Sequence, residues 1–336
     1  IIVASRSTLA PRQPGVVMLQ LIFLAVSALS NVSLFRNVAL GVLILVTVSA
    51  CGGGQDAASG HGGNTITGAT ASSGGGSSLL FSSGYEGLTA LSPPSGFFGT
   101  GAWQNIVGAD SSTGFTWPPN IWGGGTKLQM IVEAPVDATT MDNFMVNRIE
   151  TVTGHNGNAT RALYSEIKQR GGGGTQDVVM LRPASEQGDL YISYWLKFQP
   201  NLLQNMTPQN WRAFFEWKTA GDYRVLAYVA SWGDGCGGIK PNGPLFWQIR
   251  GDNNANGGLP YQEFWKVDNC SNPVPVGEWL KFEVFWHRSS GADGRVWMAV
   301  NGRVIADHYG PNMGINNRTI NRIMMPNLYS GTAVPI

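Results

Sequence analysis

Apolar side chains recur at every second position along much of this chain, and this period constrains its fold most. Successive side chains of a β-strand point to opposite faces, so a period of two predicts strands with one buried face. The clearest apolar sets are Leu190, Ile192, Tyr194, Leu196 and Phe198; Trp247 and Ile249; and Phe282, Val284 and Trp286. The nearest candidate for a helix, 160–169, is equally compatible with a strand. The pattern therefore predicts an all-β domain.

The composition agrees with broad sheets joined by many turns. The 336 residues include 45 glycines and 12 tryptophans. Glycine suits tight turns, and tryptophan suits the faces of sheets. The charged share is 13%, about half of the usual ~25%. The formal net charge of +1 excludes a protein that binds nucleic acid through an excess of basic residues.

The folded unit is predicted to span 79–336, because all twelve tryptophans lie between Trp103 and Trp297. Many strands with one apolar face and one mixed face predict a two-sheet antiparallel sandwich. The length suits a large jelly roll rather than an immunoglobulin domain.

The first 78 residues have a different character. Short apolar runs at 19–29 and 38–50 predict a signal peptide with upstream sequence over 1–50. Val48-Ser49-Ala50-Cys51 resembles the lipobox of bacterial lipoproteins, which implies a lipidated Cys51 and a location at the outer membrane or cell surface. The alternative is a membrane helix that happens to end at a cysteine. The Gly/Ser-rich stretch that follows, to residue 78, is expected to be a flexible tether.

Residues 274–305 carry a more specific resemblance. Gly277-Glu278-Trp279 opens a predicted strand, and a second strand containing Trp297 ends at Asn301-Gly302, a type I′ turn signal. The segment is similar to a hairpin of concanavalin A-like domains and of polysaccharide lyases of the heparin lyase I and alginate lyase type. The resemblance implies a jelly roll that engages polysaccharide, and one further strand beyond Ile336.

Cys236 and Cys270 remain once Cys51 is assigned to a lipid. They flank two predicted strands, 245–250 and 261–267, and a hairpin brings its ends together. An exported protein lies in an oxidising compartment, where cysteine thiols form disulfides, so Cys236 and Cys270 are expected to form a disulfide. The alternative is two independent buried thiols.

Polar side chains between the apolar positions suggest a glycan-binding face. The predicted ligand-binding residues are Gln248, Arg250, Lys281, Glu283 and His287, with the rings of Trp265 and Trp297. Amides, carboxylates and cations recognise sugar hydroxyls and uronates, and aromatic rings stack on sugar rings. Arg212 and Glu216 are predicted to share another polar face. This hypothesis requires the strands of Arg250 and Glu283 to lie in one sheet.

Two alternatives to binding alone remain open. The lyase resemblance points to Arg161 to Glu166, to Gln248-Ile249-Arg250 and to Tyr329. It implies Tyr329 as base and Gln248 and Arg250 as neutralisers, with His287 as a further catalytic candidate. Arg250 stands where that family has a catalytic histidine, which favours binding without cleavage, because arginine stays protonated. The second alternative is a structural or adhesive protein of the cell envelope.

Other chemistry has weaker support. The Glu-x-Asp-x-x-Glu strand of retaining glucanases is absent, as are a zinc-type Cys/His spacing and a phosphate-binding loop. No metal or other cofactor is therefore expected, with one reservation. The loop 252–258 is rich in Asp and Asn and offers oxygen ligands for Ca²⁺, although these residues also favour plain turns.

Overall fold

The computed structural model describes residues 2–5, 78–93, 95–98, 101–117, 129–131, 143, 145–168, 177–182, 187–206, 210–219, 223–253, 260–314 and 320–328. In chain order the strands are β1 Ile2–Ser5, β2 Ser78–Ser82, β3 Ala90–Leu91, β4 Ser95–Phe98, β5 Gly101–Gln104, β6 Ile106–Ala109, β7 Thr116–Trp117, β8 Gln129–Ile131, β9 Met145–Thr153, β10 Ala159–Ile167, β11 Asp177–Leu181, β12 Asp189–Lys197, β13 Trp211–Thr219, β14 Arg224–Ala230, β15 Phe246–Asp252, β16 Glu263–Asn269, β17 Trp279–His287, β18 Arg295–Val300, β19 Arg303–Tyr309 and β20 Ile320–Leu328. A short helix, α1, spans Leu202–Asn205, and a 3₁₀ turn spans Gly235–Gly238. None of the helices in these ranges has the length and apolar character needed to cross a membrane.

Two large antiparallel sheets contain most of the strands in those ranges. The nine-stranded sheet has the order β16-β15-β14-β13-β20-β11-β8-β5-β4, and the six-stranded sheet has the order β19-β18-β17-β12-β1-β2. The smaller sheets are β3-β6-β7 and the hairpin β9–β10. Strands distant in sequence are neighbours in both large sheets, as in a jelly-roll sandwich. The predicted all-β fold is confirmed.

The two large sheets pack together through one aromatic core. Trp217 and Trp247 come from the nine-stranded sheet, and Phe282 and Trp286 come from the six-stranded sheet. The ring centroids of Trp217 and Trp286 lie 4.9 Å apart. Burying a side chain such as Phe282 completely contributes about 1.5–3 kcal/mol to stability. The alternating apolar sets predicted from the sequence therefore fill the space between the sheets.

The alternation also fixes which side chains leave the core. On β15, Trp247 and Ile249 lie in the core, so Gln248 and Arg250 project from the opposite side of the nine-stranded sheet. The same argument holds for the polar residues of β17 in the six-stranded sheet. At the hairpin that follows, Asn301 and Gly302 have φ values of 50° and 75°, as the predicted type I′ turn requires.

One segment differs from its predicted role. Residues 2–5 were expected to precede the folded unit, yet β1 lies in the six-stranded sheet between β12 and β2. Backbone groups along β12 need partners on both sides, and β1 supplies them on one side. Of the remaining residues of the predicted signal peptide and tether, Ser78 begins β2, and residues 1 and 6–77 lie outside the described ranges.

Cys236 and Cys270 form the predicted disulfide, with their Cα atoms 6.3 Å apart. The bond joins the 3₁₀ turn to the chain just after β16. It closes a loop between cysteines 34 positions apart, for which chain entropy gives about 3–4 kcal/mol of stabilisation. The disulfide therefore fixes the edge of the nine-stranded sheet.

A buried carboxylate organises the loops beside the small sheet β3-β6-β7. Asp110 is fully buried and accepts hydrogen bonds from two serine hydroxyls and four backbone amides. The donors are Ser83 Oγ, Ser112 Oγ and the amides of Gly84, Glu86, Ser112 and Thr113. Burial alone would raise the pKa of Asp110, but these hydrogen bonds outweigh it and lower the pKa to about 2.

We expect Asp110→Asn to destabilise the protein by about 2 kcal/mol or more at pH 7, because the folded pKa lies about two units below its unfolded value. As the pH falls, the unfolded chain binds a proton at this carboxylate before the folded protein does. The stabilisation is therefore complete above the unfolded pKa and is lost as the pH falls through about 2. Urea unfolding of wild type and Asp110→Asn at pH 7, 4 and 2.5 measures this difference in the free energy of unfolding. Asp234→Asn, at an exposed position, is the control. Parallel pH profiles for wild type and Asp110→Asn would contradict the assignment.

Candidate functional site

The outer side of the nine-stranded sheet carries a cluster of charged and aromatic side chains. We call Glu216 of β13, Arg224 and Tyr228 of β14, and Gln248 and Arg250 of β15 the polar face. Their sequence neighbours Trp217, Val225, Val229, Trp247 and Ile249 all lie in the core. In the register of β14 and β15, Tyr228 is opposite Gln248 and Leu226 is opposite Arg250. Adjacent strands thus bring these groups together.

Asp252, at the end of β15, is the buried anion that orders this cluster. Arg224 donates to both of its oxygens, from Nε to Oδ1 at 2.5 Å and from a terminal nitrogen to Oδ2 at 3.3 Å. A second terminal nitrogen of Arg224 lies 3.9 Å from Glu216 Oε1. A two-point contact of this kind fixes the guanidinium in one plane. Arg224 is therefore a structural partner of the carboxylates.

Arg250 is held in a different way. Its Nε lies 3.0 Å from Asp252 Oδ2, and a terminal nitrogen lies 4.0 Å from Glu263 Oε2. Nε nevertheless has no partner with hydrogen-bond geometry. Across the described part of the chain, the structure shows these two ion pairs and two ring contacts for Arg250, and no hydrogen bond. The guanidinium is positioned by ion pairs, and its terminal nitrogens donate no hydrogen bond to the described residues.

Two tyrosine rings flank this guanidinium. Its central carbon lies 4.9 Å from the ring centroid of Tyr228 and 5.9 Å from that of Tyr261. Tyr228 is buried, whereas Tyr261 is 50% exposed. Burial raises the pKa of both phenols, and the charge of Arg250 acts in the opposite direction. Tyr261 is thus the phenol of this cluster that solvent and ligands reach.

The amide of Gln248 and the carboxyl of Glu216 complete the face. Gln248 Nε2 donates to Asp268 Oδ1 at 2.8 Å, which directs the amide along the sheet toward β16. Burial raises the pKa of Glu216, with Arg224 and Lys218 opposing this effect. The ion pair with Arg224, at 3.9 Å, holds the carboxyl of Glu216 on the polar face.

The single groove predicted for Arg250 and Glu283 is wrong. Arg250 lies in the nine-stranded sheet, and Glu283 lies in the six-stranded sheet. The core separates the two, so the predicted polar ligand residues divide into two opposite outer faces. Alternation fixes the side of each strand but not the sheet that the strand joins.

The residues of β17 form their own polar contacts. Glu283 accepts from Lys281 Nζ at 2.9 Å and from the Tyr191 hydroxyl at 2.5 Å. Burial and the bond to Glu283 both raise the pKa of Tyr191. His287 Nδ1 lies 2.5 Å from Asp189 Oδ1, and this hydrogen bond, the largest influence, raises the pKa of His287. These residues are largely paired with each other.

The two predicted binding rings are engaged in packing. Trp265 donates from Nε1 to the Tyr223 hydroxyl at 2.6 Å, and its ring stacks on His308 with centroids 4.2 Å apart. Trp297 is 9% exposed and packs against Phe285 and Ala299 on the outer side of the six-stranded sheet. Neither ring lies on the polar face as defined above.

Other predicted residues fall elsewhere. Tyr329 and Cys51 lie outside the described residues. Arg161 donates to the backbone carbonyls of Tyr85, Gly87 and Thr89, so it supports a loop. Arg212 and Glu216 do not share a face, because β13 has an irregular register between Ala213 and Phe215.

Sequence reasoning missed the roles of Arg224, Tyr228 and Tyr261. The sequence did contain a signal for Arg224 and Tyr228. Residues 223–231 alternate in polarity, which puts these two side chains on the strand face opposite to that of Val225 and Val229. No local pattern marks Tyr261, which lies just before β16. Within the described ranges, no three His, Cys, Asp or Glu side chains are grouped closely enough to hold a metal ion. In the loop proposed for Ca²⁺, Asp252 is engaged by arginine, and 254–259 lie outside the described residues.

The solved structures that are similar to this protein match part of its chain. No family model and no curated protein matches the sequence. A variant of the alginate lyase Aly36B in complex with an alginate trisaccharide is 15% identical, with a TM-score of 0.38, over 56% of this chain and 78% of that one. The alginate lyase Aly36B itself is 14% identical, with a TM-score of 0.36, over 60% of this chain and 78% of that one. An endo-β-1,4-glucuronan lyase from the fungus Trichoderma reesei is 12% identical, with a TM-score of 0.33, over 55% and 76%.

Proposed function

We propose that the polar face binds a uronate-containing polysaccharide and that the protein cleaves this polysaccharide by β-elimination. One observation carries the proposal. The guanidinium of Arg250 is positioned by Asp252 and Glu263, yet it donates no hydrogen bond within the described part of the chain. A planar guanidinium with unused donors matches a carboxylate in two-point geometry.

The environment of Arg250 supports binding of an anion from solvent. Its side chain is 23% exposed, so a ligand can reach it, while the Asp252 carboxylate behind it is fully buried. Asp252 is already bound by Arg224 at two points. Asp252 is therefore shared by two arginines, and the second carboxylate partner of Arg250, Glu263, lies 4.0 Å away, so a ligand carboxylate can approach the exposed part of this guanidinium more closely.

Beta-elimination requires a group that binds the uronate carboxylate, a base that removes the C5 proton and an acid that protonates the leaving oxygen. Arg250, with Gln248 beside it, binds the uronate carboxylate and stabilises the charge that develops when the carbon next to it loses its proton. The Tyr261 phenolate takes this C5 proton, and the electron pair of the broken C–H bond forms the C4–C5 double bond. The C4–O bond breaks, and the leaving oxygen takes the proton from the Tyr261 phenol. The products are one unsaturated end and one ordinary end.

Tyr261 is assigned as the base because it combines access with a nearby cation. Its ring is half exposed and lies near the Arg250 guanidinium, whose charge favours the phenolate. Tyr228 is closer to Arg250 but is buried, which suits a ring that positions the cation. Tyr329, which the sequence suggested for this role, stays a second candidate.

Binding without cleavage is the competing function, and one observation favours it. The net effect of the surroundings raises the pKa of Tyr261, so only a small fraction is phenolate at neutral pH. Arg250 itself cannot act as a base. A protein that holds acidic polysaccharide would need only the carboxylate contacts of the polar face.

We further propose that Cys51 carries a lipid and that the protein lies at the outer membrane or cell surface. The sequence Val48-Ser49-Ala50-Cys51 and the Gly/Ser-rich stretch after it motivate this proposal. The Cys236–Cys270 disulfide supports export, because such bonds persist in oxidising compartments. A tethered domain outside the cell would meet extracellular polysaccharide.

We expect Arg250→Ala to lower kcat/KM on a polyuronate by a factor on the order of 10²–10³. The reason is that the negative charge of the transition state loses the guanidinium that stabilises it. The kcat/KM of Arg250→Lys should lie between those of wild type and Arg250→Ala, since lysine keeps the charge but not the two-point geometry. Ultraviolet absorbance of unsaturated product ends measures the rate. Arg303→Ala, exposed on β19, is the matched control and should behave as wild type. Undiminished cleavage by Arg250→Ala would refute the proposed role, and binding without any unsaturated product would favour the competing function.

We expect the cleavage rate to rise with pH through the neutral and mildly alkaline range, because the phenolate of Tyr261 is the active form and its pKa is raised. Tyr261→Phe should lose on the order of 10²–10⁴ in kcat while KM changes little. Tyr309→Phe, exposed on β19, serves as control. A pH-independent rate, or wild-type kcat in Tyr261→Phe, would remove Tyr261 from the mechanism.

Mass spectrometry of the N-terminal peptide from the exported protein tests the anchor. We expect a chain that begins at Cys51 with added acyl mass. Cleavage there also removes β1, so the same spectrum decides whether that strand belongs to the mature sheet. An unmodified peptide that runs through Cys51 would disprove the lipid anchor.

A further inference from the structure

A cavity of about 920 Å³ lies between the β9–β10 hairpin and one end of the sandwich. The end of β12, helix α1, the beginning of β13 and part of β20 contribute to its walls. Its volume is at the upper end of the ~300–1,000 Å³ range of ligand sites. Gln248, Tyr228 and Arg250 do not line it. The cavity is therefore distinct from the polar face.

Arg212 is the unusual residue of this cavity. It lines the cavity and is only 2% exposed. Its two terminal nitrogens donate to the backbone carbonyls of Trp211 and Asn205, each at 3.0 Å. Its Nε has no hydrogen-bond partner. Among the residues that the structure describes, no carboxylate forms an ion pair with Arg212.

The irregularity of β13 places this charge in the cavity. Trp211 and Ala213 pack on the outer side of the nine-stranded sheet, and Phe214 and Phe215 both lie in the core. The register shifts between Ala213 and Phe215. Arg212 consequently points away from the face that carries Glu216, which is the carboxylate nearest to it along the strand. The bulge separates this cation from Glu216 of the polar face.

A buried arginine without a carboxylate is unfavourable in the free protein. Carbonyl groups solvate a guanidinium only partly, and desolvation lowers the pKa of Arg212 to about 10. The group still carries its charge at neutral pH. An anion that enters the cavity would supply the missing partner and would use the free Nε donor.

The remaining walls suit the rings and hydroxyls of a sugar. Trp195 is 42% exposed and lies in a stack with His155, with ring centroids 3.7 Å apart. Glu166 accepts from the Tyr164 hydroxyl at 3.1 Å and is available to further hydroxyl donors. Aromatic surface together with carboxylate and amide oxygens is the usual lining of a carbohydrate site.

We propose that this cavity is a second binding site, which takes an acidic oligosaccharide by pairing one carboxylate with Arg212. The choice of a uronate as the anion rests on the proposed function; the anion site itself does not. Two separate carboxylate sites would let one domain hold an acidic chain at the polar face and a chain end or second chain in the cavity.

The test uses a trimer of β-1,4-linked glucuronate and the full chain in the Arg250→Ala background, so that the polar face contributes little. Calorimetric titration should show that Arg250→Ala still binds the trimer. Adding Arg212→Met should weaken this binding at least tenfold, and adding Arg212→Lys should weaken it less. Cellotriose, which has the same linkage and no carboxylate, should bind at least tenfold more weakly than the trimer.

Lys197→Met is the matched control, because Lys197 also lines the cavity but is exposed, and we expect less than a threefold effect. Thermal unfolding of each variant verifies folding, and Arg212→Lys keeps the test valid if Arg212→Met does not fold. The inference is overturned if Arg250→Ala binds no trimer, if Arg212 variants bind as tightly as their parent, or if cellotriose binds equally well. Failure of the proposed function would be seen separately, as undiminished cleavage by Arg250→Ala or as wild-type binding without unsaturated product.

Discussion

The burial of large aromatic side chains between the two sheets is the interaction on which the rest of the structure depends. Trp217, Trp247 and Trp286 are completely buried there, and burying such rings is a main source of stability for a sandwich of this size. Because strand side chains alternate, each buried ring sends its neighbours to the outside. Burial of Trp247 and Ile249 thus brings Gln248 and Arg250 onto one outer face. The polar face is a consequence of core packing as much as of its own ion pairs.

This coupling explains how much of the protein the sequence could predict. A period of two is a local property, so the strands and their buried sides were predicted correctly around Trp247 and around Phe282. The disulfide was predictable too, because Cys236 and Cys270 flank adjacent strands that form a hairpin. Each of these features depends on residues that are near one another in the chain.

The features that the sequence could not predict depend on long-range pairing. Strands β15 and β17 have the same kind of alternation, and nothing local assigns one to the nine-stranded sheet and the other to the six-stranded sheet. The shift in β13 is equally hidden, because one extra residue between Ala213 and Phe215 reverses which side chains face the core. Simple alternation therefore placed Arg212 beside Glu216, although the structure separates them. Tyr261 joins the site only because β16 pairs with β15.

Three arginines on or near β13, β14 and β15 show how placement sets the role of one kind of charge. Arg224 donates to both oxygens of a buried aspartate, so its charge is matched within the protein. Arg250 shares that aspartate without a hydrogen bond, so it is oriented while its donors remain available. Arg212 has only carbonyl partners within the described residues, and its Nε has none. The number of close carboxylate contacts therefore falls along this series, from Arg224 to Arg250 to Arg212. The two proposed sites for acidic ligands therefore both rest on arginines that the protein leaves incompletely paired, Arg250 and Arg212.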